Sequence, residues 1–212
     1  MNIYLIRHGQ SIGNLNKVYL GHTDLDLSEI GYKQAERVCD YVVKNYNIDK
    51  IFSSDLIRAY NTVLPASQKL NIPIIKEPEL REIYAGLWEN KKYECLMEKY
   101  ADTYNTWLTD IGNAKCDGGE TVVQLQKRIM SALTKIAINN PGNDILIGSH
   151  ATPIRTIACT ILGKDINELN TVEWPLNASI THVKYENNKF ELVNYSNVSF
   201  LEEFITQPSS KM

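Results

Sequence analysis

Apolar runs alternate with amphipathic stretches along most of the chain. Short runs of β-prone residues predict strands at residues 1–6, 50–54, 72–75 and 144–149. Stretches with apolar residues at helical spacing predict helices that begin after Ser28, after Asp55, at residue 120 and at Thr152. Strands that alternate with helices are typical of a mainly parallel sheet covered on both faces. The pattern therefore predicts an α/β fold, a three-layer α/β/α sandwich.

Several elements carry signals at their ends. Asp55 is the expected N-cap of its helix, and Pro65 should bend or end that helix because proline removes a backbone donor. Pro153 falls in the first turn of another helix, where a missing N–H is tolerated. Residues 179–185 and 189–194 alternate in polarity around an Asn-Asn pair. This arrangement predicts a closing β-hairpin.

Residues 86–119 break the alternation within a single predicted domain that spans residues 1–212. The segment is rich in Tyr, Trp and Lys, and its helical pattern is interrupted between Tyr93 and Tyr104. We expect a small helical insertion over the carboxyl edge of the sheet. Two interpretations stay open: a lid over a bound substrate, or a solvated surface subdomain.

Composition narrows the classes of partner. Of the 212 residues, 43% are hydrophobic and 22% charged, and the net charge is −3. This charge creates no general basic field, so we expect no nucleic-acid or membrane partner, and anions must be recognised by a local cluster. The four cysteines form no CxxC pair, which argues against a zinc or thioredoxin-like motif. We expect free thiols and a cytoplasmic location.

The terminal segments change this picture little. We expect no secretory signal peptide, because a predicted strand begins within the first few residues. No apolar run approaches the length of a membrane span. We expect disorder at residues 207–212. The composition is compatible with a homodimer as well as a monomer.

The candidate chemistry begins at the end of the first predicted strand. The run LIRHGQS at residues 5–11 places Arg7 and His8 there, and Asn14 follows on a polar segment. The carboxyl ends of parallel strands open onto the crevice in which α/β proteins bind ligands. An imidazole, a guanidinium and an amide at such a crevice suit an anionic substrate and a nucleophilic nitrogen.

Further segments supply the same kinds of group. Arg58 lies in the first turn of a predicted helix, where N–H groups and the helix dipole favour anions. His150 ends the strand predicted at residues 144–149, and Glu82 follows the strand at 72–75 after a turn. With the first strand end, these positions supply histidines, arginines and one acid to the same edge of the sheet.

This set of groups suits phosphoryl transfer through a covalent phosphohistidine. A neutral imidazole can attack phosphorus while the arginines and the second histidine hold the nonbridging oxygens. Arginine matches phosphate with a planar fork of donors. A carboxylic acid can protonate the leaving oxygen, and the negative charge of bound phosphate favours the protonated form of a neighbouring carboxyl.

Five segments in order resemble the histidine phosphatase superfamily, also called the phosphoglycerate mutase-like family. They lie at residues 5–14, 53–62, 80–89, 117–121 and 149–155, so the resemblance covers most of the chain. A further match extends over the GHTD run at 21–24 and residues 27–35.

The resemblance implies a role for each candidate residue. It makes His8 the nucleophile and Glu82 the proton donor. The residues that it implies for binding the phosphate are Arg7, Asn14, Arg58 and His150. It also implies a small phosphorylated metabolite as partner, with no metal and no cofactor.

Three places depart from the family pattern. Ala151 and Thr152 replace the two glycines that usually follow the histidine, and Asn90 stands where glycine is common. Leu20 precedes Gly21 at a position where a polar residue often reaches the phosphate. None of these changes removes a predicted catalytic group, so they bear on the substrate rather than on activity.

The resemblance favours the phosphatase branch, a phosphatase of small phosphomonoesters, because the cofactor-dependent phosphoglycerate mutases have a longer insertion. It suggests broad-specificity, α-ribazole 5′-phosphate, phosphoserine and 3-phosphoglycerate phosphatases as models. The leaving group could meet an apolar roof formed by Tyr93, Leu96, Tyr100, Tyr104 and Trp107, and charges from Lys91 and Lys92. These aromatic residues could equally serve to pack the insertion.

Four alternative functions, one of them within the family, fit the sequence less well. The mutase is the alternative within the family, and a catalytically inactive protein that binds a phosphorylated ligand is the nonenzymatic one. A metal centre could use His8, His22, His150 and His182, but no HExxH motif or paired Cys-His spacing is present. A nucleotide-binding module lacks both GxGxxG and GxxxxGK[ST].

Overall fold

Eight strands form two sheets in the computed structural model, which describes residues 1–206. The strands are β1 (Asn2–Arg7), β2 (Val18–Tyr19), β3 (Lys50–Ser53), β4 (Ile74–Lys76), β5 (Lys91–Lys92), β6 (Ile145–Ser149), β7 (Ile180–Glu186) and β8 (Lys189–Asn197). The main sheet has the strand order β4-β3-β6-β1-β7-β8, and β2 pairs with β5 in the other. The tail predicted to be disordered, residues 207–212, lies outside the described residues.

Seven α-helices occur within residues 1–206. They are α1 (Ile12–Leu15), α2 (Glu29–Asn45), α3 (Ile57–Leu70), α4 (Tyr93–Lys99), α5 (Ala101–Thr109), α6 (Val122–Asn139) and α7 (Ala151–Ile161). Ser28 caps α2 as predicted, and Thr121 caps α6 in a capping box with Gln124. None of the helices in this range combines the length and apolar character needed to cross a membrane.

Strands β4, β3, β6 and β1 are parallel, whereas β7 and β8 add an antiparallel hairpin beside β1. The parallel register pairs Leu5 with Ile147, and Ile51 with Leu146. Because β1, β3 and β6 run in the same direction, their carboxyl ends lie at one edge of the sheet. The predicted α/β sandwich is confirmed, as is the closing hairpin.

Helices cover both faces of the main sheet. On one face Leu5 and Ile147 pack with Leu133 of α6 and Ile154 of α7. The opposite face packs against α2 and α3, and its core includes Ile6, Leu146, Val38 and Val63. Strands buried on both faces are apolar at nearly every position, which explains the continuous apolar runs in the sequence.

Residues 86–119 pack on the body through an aromatic core of their own. Trp88 is fully buried, and it clusters with Leu96 and Trp107 from the same segment. Leu125 of α6 and Ala158 of α7 belong to this cluster too. The segment therefore packs against the first turn of α6 and the last turn of α7.

One predicted helix signal near α3 is wrong. Leu56, not Asp55, is the N-cap, and it makes no side-chain cap hydrogen bond. The Asp55 carboxylate instead accepts from Arg81, at 2.7 Å from Nε and 2.5 Å from Nη2, since a charged fork is the stronger donor. Pro65 does not end α3, which continues to Leu70 with Pro65 on its buried face, and a bend at Pro65 stays a prediction. Burial of that face offsets the missing backbone hydrogen bond.

Candidate active site

The turn after β1 is fixed from several sides. The His8 amide donates to the carbonyl of Ser149 at 3.0 Å, which joins the ends of β1 and β6. The Gly9 amide donates to Thr62 Oγ1 at 3.0 Å. A Cβ at Gly9 would lie 2.6 Å from the carbonyl oxygen of Gly31, so only glycine fits this close approach of two backbones. The turn therefore holds His8 at the carboxyl edge of the sheet.

The His8 ring is oriented by its own backbone. Its Nδ1 lies 2.7 Å from the carbonyl oxygen of Gly9. A carbonyl can only accept, so Nδ1 carries the proton and Nε2 of the neutral ring keeps a free lone pair. Burial, together with the charges of Arg58 and Arg7, lowers the pKa of His8 well below its usual value. At neutral pH this residue is therefore a neutral imidazole with its proton on Nδ1.

Two buried guanidiniums lie beside His8. Arg58, which is 1% exposed, donates from Nη1 to the Thr23 carbonyl at 2.9 Å and from Nη2 to the Gly21 carbonyl at 2.7 Å. Arg7 donates from Nη1 to the Pro175 carbonyl at 2.5 Å. Burial lowers the pKa of Arg58 to about 10 and also lowers the pKa of Arg7, so both remain charged at neutral pH.

The electrostatics of this pair favour an anion. Neither Arg7 nor Arg58 forms an ion pair within residues 1–206. The Nε of each is buried and has no hydrogen-bond partner among the same residues. Buried charges and buried donors are costly unless they are paired. An anionic group with several oxygens matches both needs.

Glu82 approaches the same place from the segment after β4. Its Oε1 accepts from the Ile83 amide at 2.9 Å, and its Oε2 accepts from the Thr152 amide in the first turn of α7 at 3.3 Å. The carbonyl oxygen of Glu82 lies 2.9 Å from Nε2 of His22. The carboxyl group is thus placed between β1 and the start of α7.

His150 lies behind His8 at the N-cap of α7 and is fully buried. The two imidazole centroids are 5.2 Å apart in an edge-on arrangement. Nε2 of His150 lies 2.8 Å from Ser54 Oγ, whereas Nδ1 has no partner within the described part of the chain. Burial is the main reason why the pKa of His150 lies well below its usual value.

One cleft gathers most of the predicted site. It is lined by Arg7, His8, Asn14, Arg58 and Glu82. His150 is not among the lining residues, although the two residues that follow it are. Residues more than 70 positions apart in the chain therefore meet at the carboxyl edge of the sheet.

The other wall of the cleft is apolar and aromatic. Its side chains are Val18, Tyr19, Leu20, Tyr93, Tyr104, Trp107, Leu108 and Trp174. Of the roof expected from the sequence, Leu96 and Tyr100 lie outside the lining. Lys91 and Lys92, which form β5 and pair with β2, also lie outside it. Leu20 packs its side chain against Gly13, so it replaces the polar residue usual in the family with an apolar contact.

Sequence reasoning missed residues that support the site from the far end of the chain. Asn177 donates from Nδ2 to the His8 carbonyl at 3.1 Å and to Asn14 Oδ1 at 3.3 Å. Arg155 stacks on Trp174, with Cζ 4.2 Å from the ring centroid. Arg155 ends the matched segment 149–155, but no sequence signal marks Asn177 or Trp174, because their contacts join segments that lie apart in the chain.

The histidines do not converge on one point. His22 bonds to the Glu82 carbonyl, and His182 lies at the opposite end of β1, with Nε2 2.9 Å from Asn2 Oδ1. In the part of the chain that the structure describes, no group of three or more His, Cys, Asp or Glu side chains is placed to hold a metal ion.

Comparison with known proteins shows similarity to the histidine phosphatase superfamily along nearly the whole chain. Residues 3–198 match the model of the histidine phosphatase superfamily (branch 1). Phosphoserine phosphatase 1 of Hydrogenobacter thermophilus is 29% identical over 210 residues, which cover 98% of this chain and 97% of that protein. A metal-independent phosphoserine phosphatase of Arabidopsis thaliana is 29% identical over 201 residues, covering 94% of this chain and 82% of its own.

A solved structure shows the same fold. YhfR of Bacillus stearothermophilus superimposes with a TM-score of 0.90 and 23% sequence identity, over 94% of this chain and 98% of that chain. The family match covers residues 3–198, and the fold agrees with that of the solved structure. The chain belongs to the histidine phosphatase superfamily, branch 1.

Proposed function

We propose that the protein is a metal-independent phosphatase that hydrolyses small phosphomonoesters through a phosphohistidine on His8. The observation that carries this proposal is the orientation of the His8 ring. Its Nδ1 proton is held by the Gly9 carbonyl, so the free lone pair is on Nε2, in a cleft that also contains Arg7 and Arg58. A neutral nucleophile beside two buried cations is what attack on a phosphate dianion requires.

The reaction follows in two steps. In the first, Nε2 of His8 forms a bond to phosphorus, the ester P–O bond breaks, and Glu82 gives its proton to the leaving oxygen. Arg7, Asn14, Arg58 and His150 hold the nonbridging oxygens. In the second, water attacks the phosphohistidine and Glu82 accepts its proton. Inorganic phosphate leaves, and the starting forms of both residues are restored.

The cleft also suggests the kind of leaving group. Among lining residues within 1–206, the basic side chains are Arg7, His8 and Arg58, which the proposal assigns to the phosphate. The opposite wall is apolar, with Trp107 and Trp174 at 6.2 Å between ring centroids. We therefore propose an uncharged leaving group with an apolar or aromatic surface. Phosphoserine is the reference for comparison, because relatives carry that name.

Hydrolysis of p-nitrophenyl phosphate in excess EDTA tests the activity. We expect full turnover with chelator, because the nucleophile, the acid and the charge clamps are all protein groups. His8→Asn keeps the size of the side chain but removes the nucleophile, so turnover should fall to background and no acid-labile phosphoenzyme should form. Loss of activity in EDTA, restored by a divalent metal, would contradict the proposal.

Two substrate comparisons test the finer points. Rates on aryl phosphates should exceed those on phosphoserine at equal concentration, and the reverse order would contradict the proposed leaving group. With 3-phosphoglycerate, any turnover should release inorganic phosphate without added 2,3-bisphosphoglycerate. Rapid interconversion with 2-phosphoglycerate, primed by that cofactor, would identify a mutase instead.

A further inference from the structure

Arg128 on α6 binds the backbone of the segment that carries Glu82. Its Nη1 donates to the carbonyl oxygens of Glu79 at 2.7 Å and Arg81 at 3.1 Å, and its Nη2 donates to that of Glu82 at 3.1 Å. Its Nε and Nη2 also donate to the two carboxylate oxygens of Glu120, at 3.0 and 2.9 Å. All five N–H donors of the guanidinium are thereby used.

Glu120 binds the same main chain on the other side of Glu82, at Tyr84. Its Oε2 accepts from the Tyr84 amide at 3.2 Å, and its own amide donates to the Tyr84 carbonyl at 2.8 Å. The side chains of Arg128 and Glu120 are 17% and 13% exposed, so solvent screens their ion pair far less than a surface pair. Together the two residues form a clamp, called here the Arg128 clamp, around the main chain of residues 79–84.

The Glu82 carboxyl depends on that main chain for its position. Its shorter contact, at 2.9 Å, is to the amide of its neighbour Ile83, and its contact to Thr152 in α7 is longer, at 3.3 Å. A shift of the main chain would therefore move the acid relative to the leaving oxygen. Arg128 lies outside the lining of the cleft, so it does not act on substrate directly.

We propose that Arg128, held by Glu120, positions Glu82 for proton transfer to the leaving group. This proposal rests on the proposed function and adds a positioning residue to it. A lysine could not replace the arginine, because three donors on one nitrogen cannot reach three carbonyls and two carboxylate oxygens in a fixed plane. Misplacement of a catalytic group by about 1 Å can lower a rate about 10²-fold.

The test uses Arg128→Lys with two esters that differ in their need for an acid. An alkyl alcohol such as that of 2-phenylethyl phosphate must be protonated as it leaves, whereas p-nitrophenolate departs without a proton. We expect kcat for the alkyl ester to fall about 10²-fold, and kcat for p-nitrophenyl phosphate to stay within about threefold of wild type. Inhibition by vanadate should be unchanged. Arg37→Lys, at an exposed arginine on α2, is the matched control.

A double variant separates positioning from general damage to the fold. If Arg128 acts only through Glu82, the double variant Arg128→Lys/Glu82→Gln should be no slower on the alkyl ester than Glu82→Gln alone. Additive losses, or equal losses of Arg128→Lys on both esters, would overturn the proposal. If Arg128→Lys does not fold, Glu120→Gln should show the same selectivity with a smaller loss, and no selectivity there overturns it too. Wild-type inactivity on both esters would instead contradict the proposed function.

Discussion

At the scale of single residues, the site combines groups that the sequence predicts with supports that it does not. His8 and Arg58 could be predicted because each follows a strand or opens a helix, and strand ends converge in an α/β fold. Asn177 could not, since its contact with His8 joins positions 169 residues apart. The N-cap predicted at Asp55 is wrong, because Arg81, 26 positions away, offers its carboxylate a stronger donor than the helix end does.

Arg58 gives the sharpest prediction at this scale. Its guanidinium is held in place by the carbonyls of Gly21 and Thr23, and its fork can bind phosphate through the donors that remain. Arg58→Lys keeps a positive charge but loses the fork and the paired anchors. We expect kcat/KM to fall about 10²-fold, or about 3 kcal/mol of transition-state stabilisation. Inhibition by inorganic phosphate and vanadate should weaken in parallel. Kinetics near those of wild type would show that Arg58 is structural.

At the scale of elements, periodicity predicts where strands and helices lie better than where they end. The 72–75 strand is displaced to Ile74–Lys76, and α3 continues through Pro65, because tertiary burial outweighs the local signals on which the sequence reasoning relied. Local periodicity does not distinguish the two expected uses of the 86–119 segment. Its aromatic residues pack with the body and also line the cleft. Tyr104 and Trp107 do both.

A role of the 86–119 segment in substrate binding stays a prediction, and Leu108 can test it. Leu108 on α5 lines the cleft and is 50% exposed, so Leu108→Ser should leave the fold intact. We expect kcat/KM for large apolar esters to fall about fivefold, from the loss of about 1 kcal/mol of apolar contact, and little change for methyl phosphate. Met97→Ser on α4, at a residue that is 48% exposed and does not line the cleft, is the control. Equal effects of the two variants would exclude a role of this wall in selecting the ester.

At the scale of the whole molecule, the histidines couple the charge of the site to the stability of the fold. The chain has four histidines, and burial lowers the pKa of each: well below the usual value for His8 and His150, and less for His22 and His182. The unfolded chain therefore binds protons near pH 6.5, while the folded chain does not. The free energy of unfolding therefore rises with pH in the range below about 6.5. This stabilisation is lost as the pH falls through the same range.

Urea unfolding at pH 7.5 and pH 5.5 measures this coupling. We expect a lower free energy of unfolding at pH 5.5, with a slope of up to about 1.4 kcal/mol per pH unit for each histidine that stays neutral in the fold. Asp55 does not contribute to the difference between pH 7.5 and pH 5.5, because its lowered pKa changes the free energy of unfolding only in more acidic solution. His150→Asn should reduce the difference between the two pH values, and bound phosphate should reduce it further by favouring protonated histidine in the fold. Equal or greater stability at pH 5.5 would contradict the neutral, buried imidazoles on which the proposed attack by His8 depends.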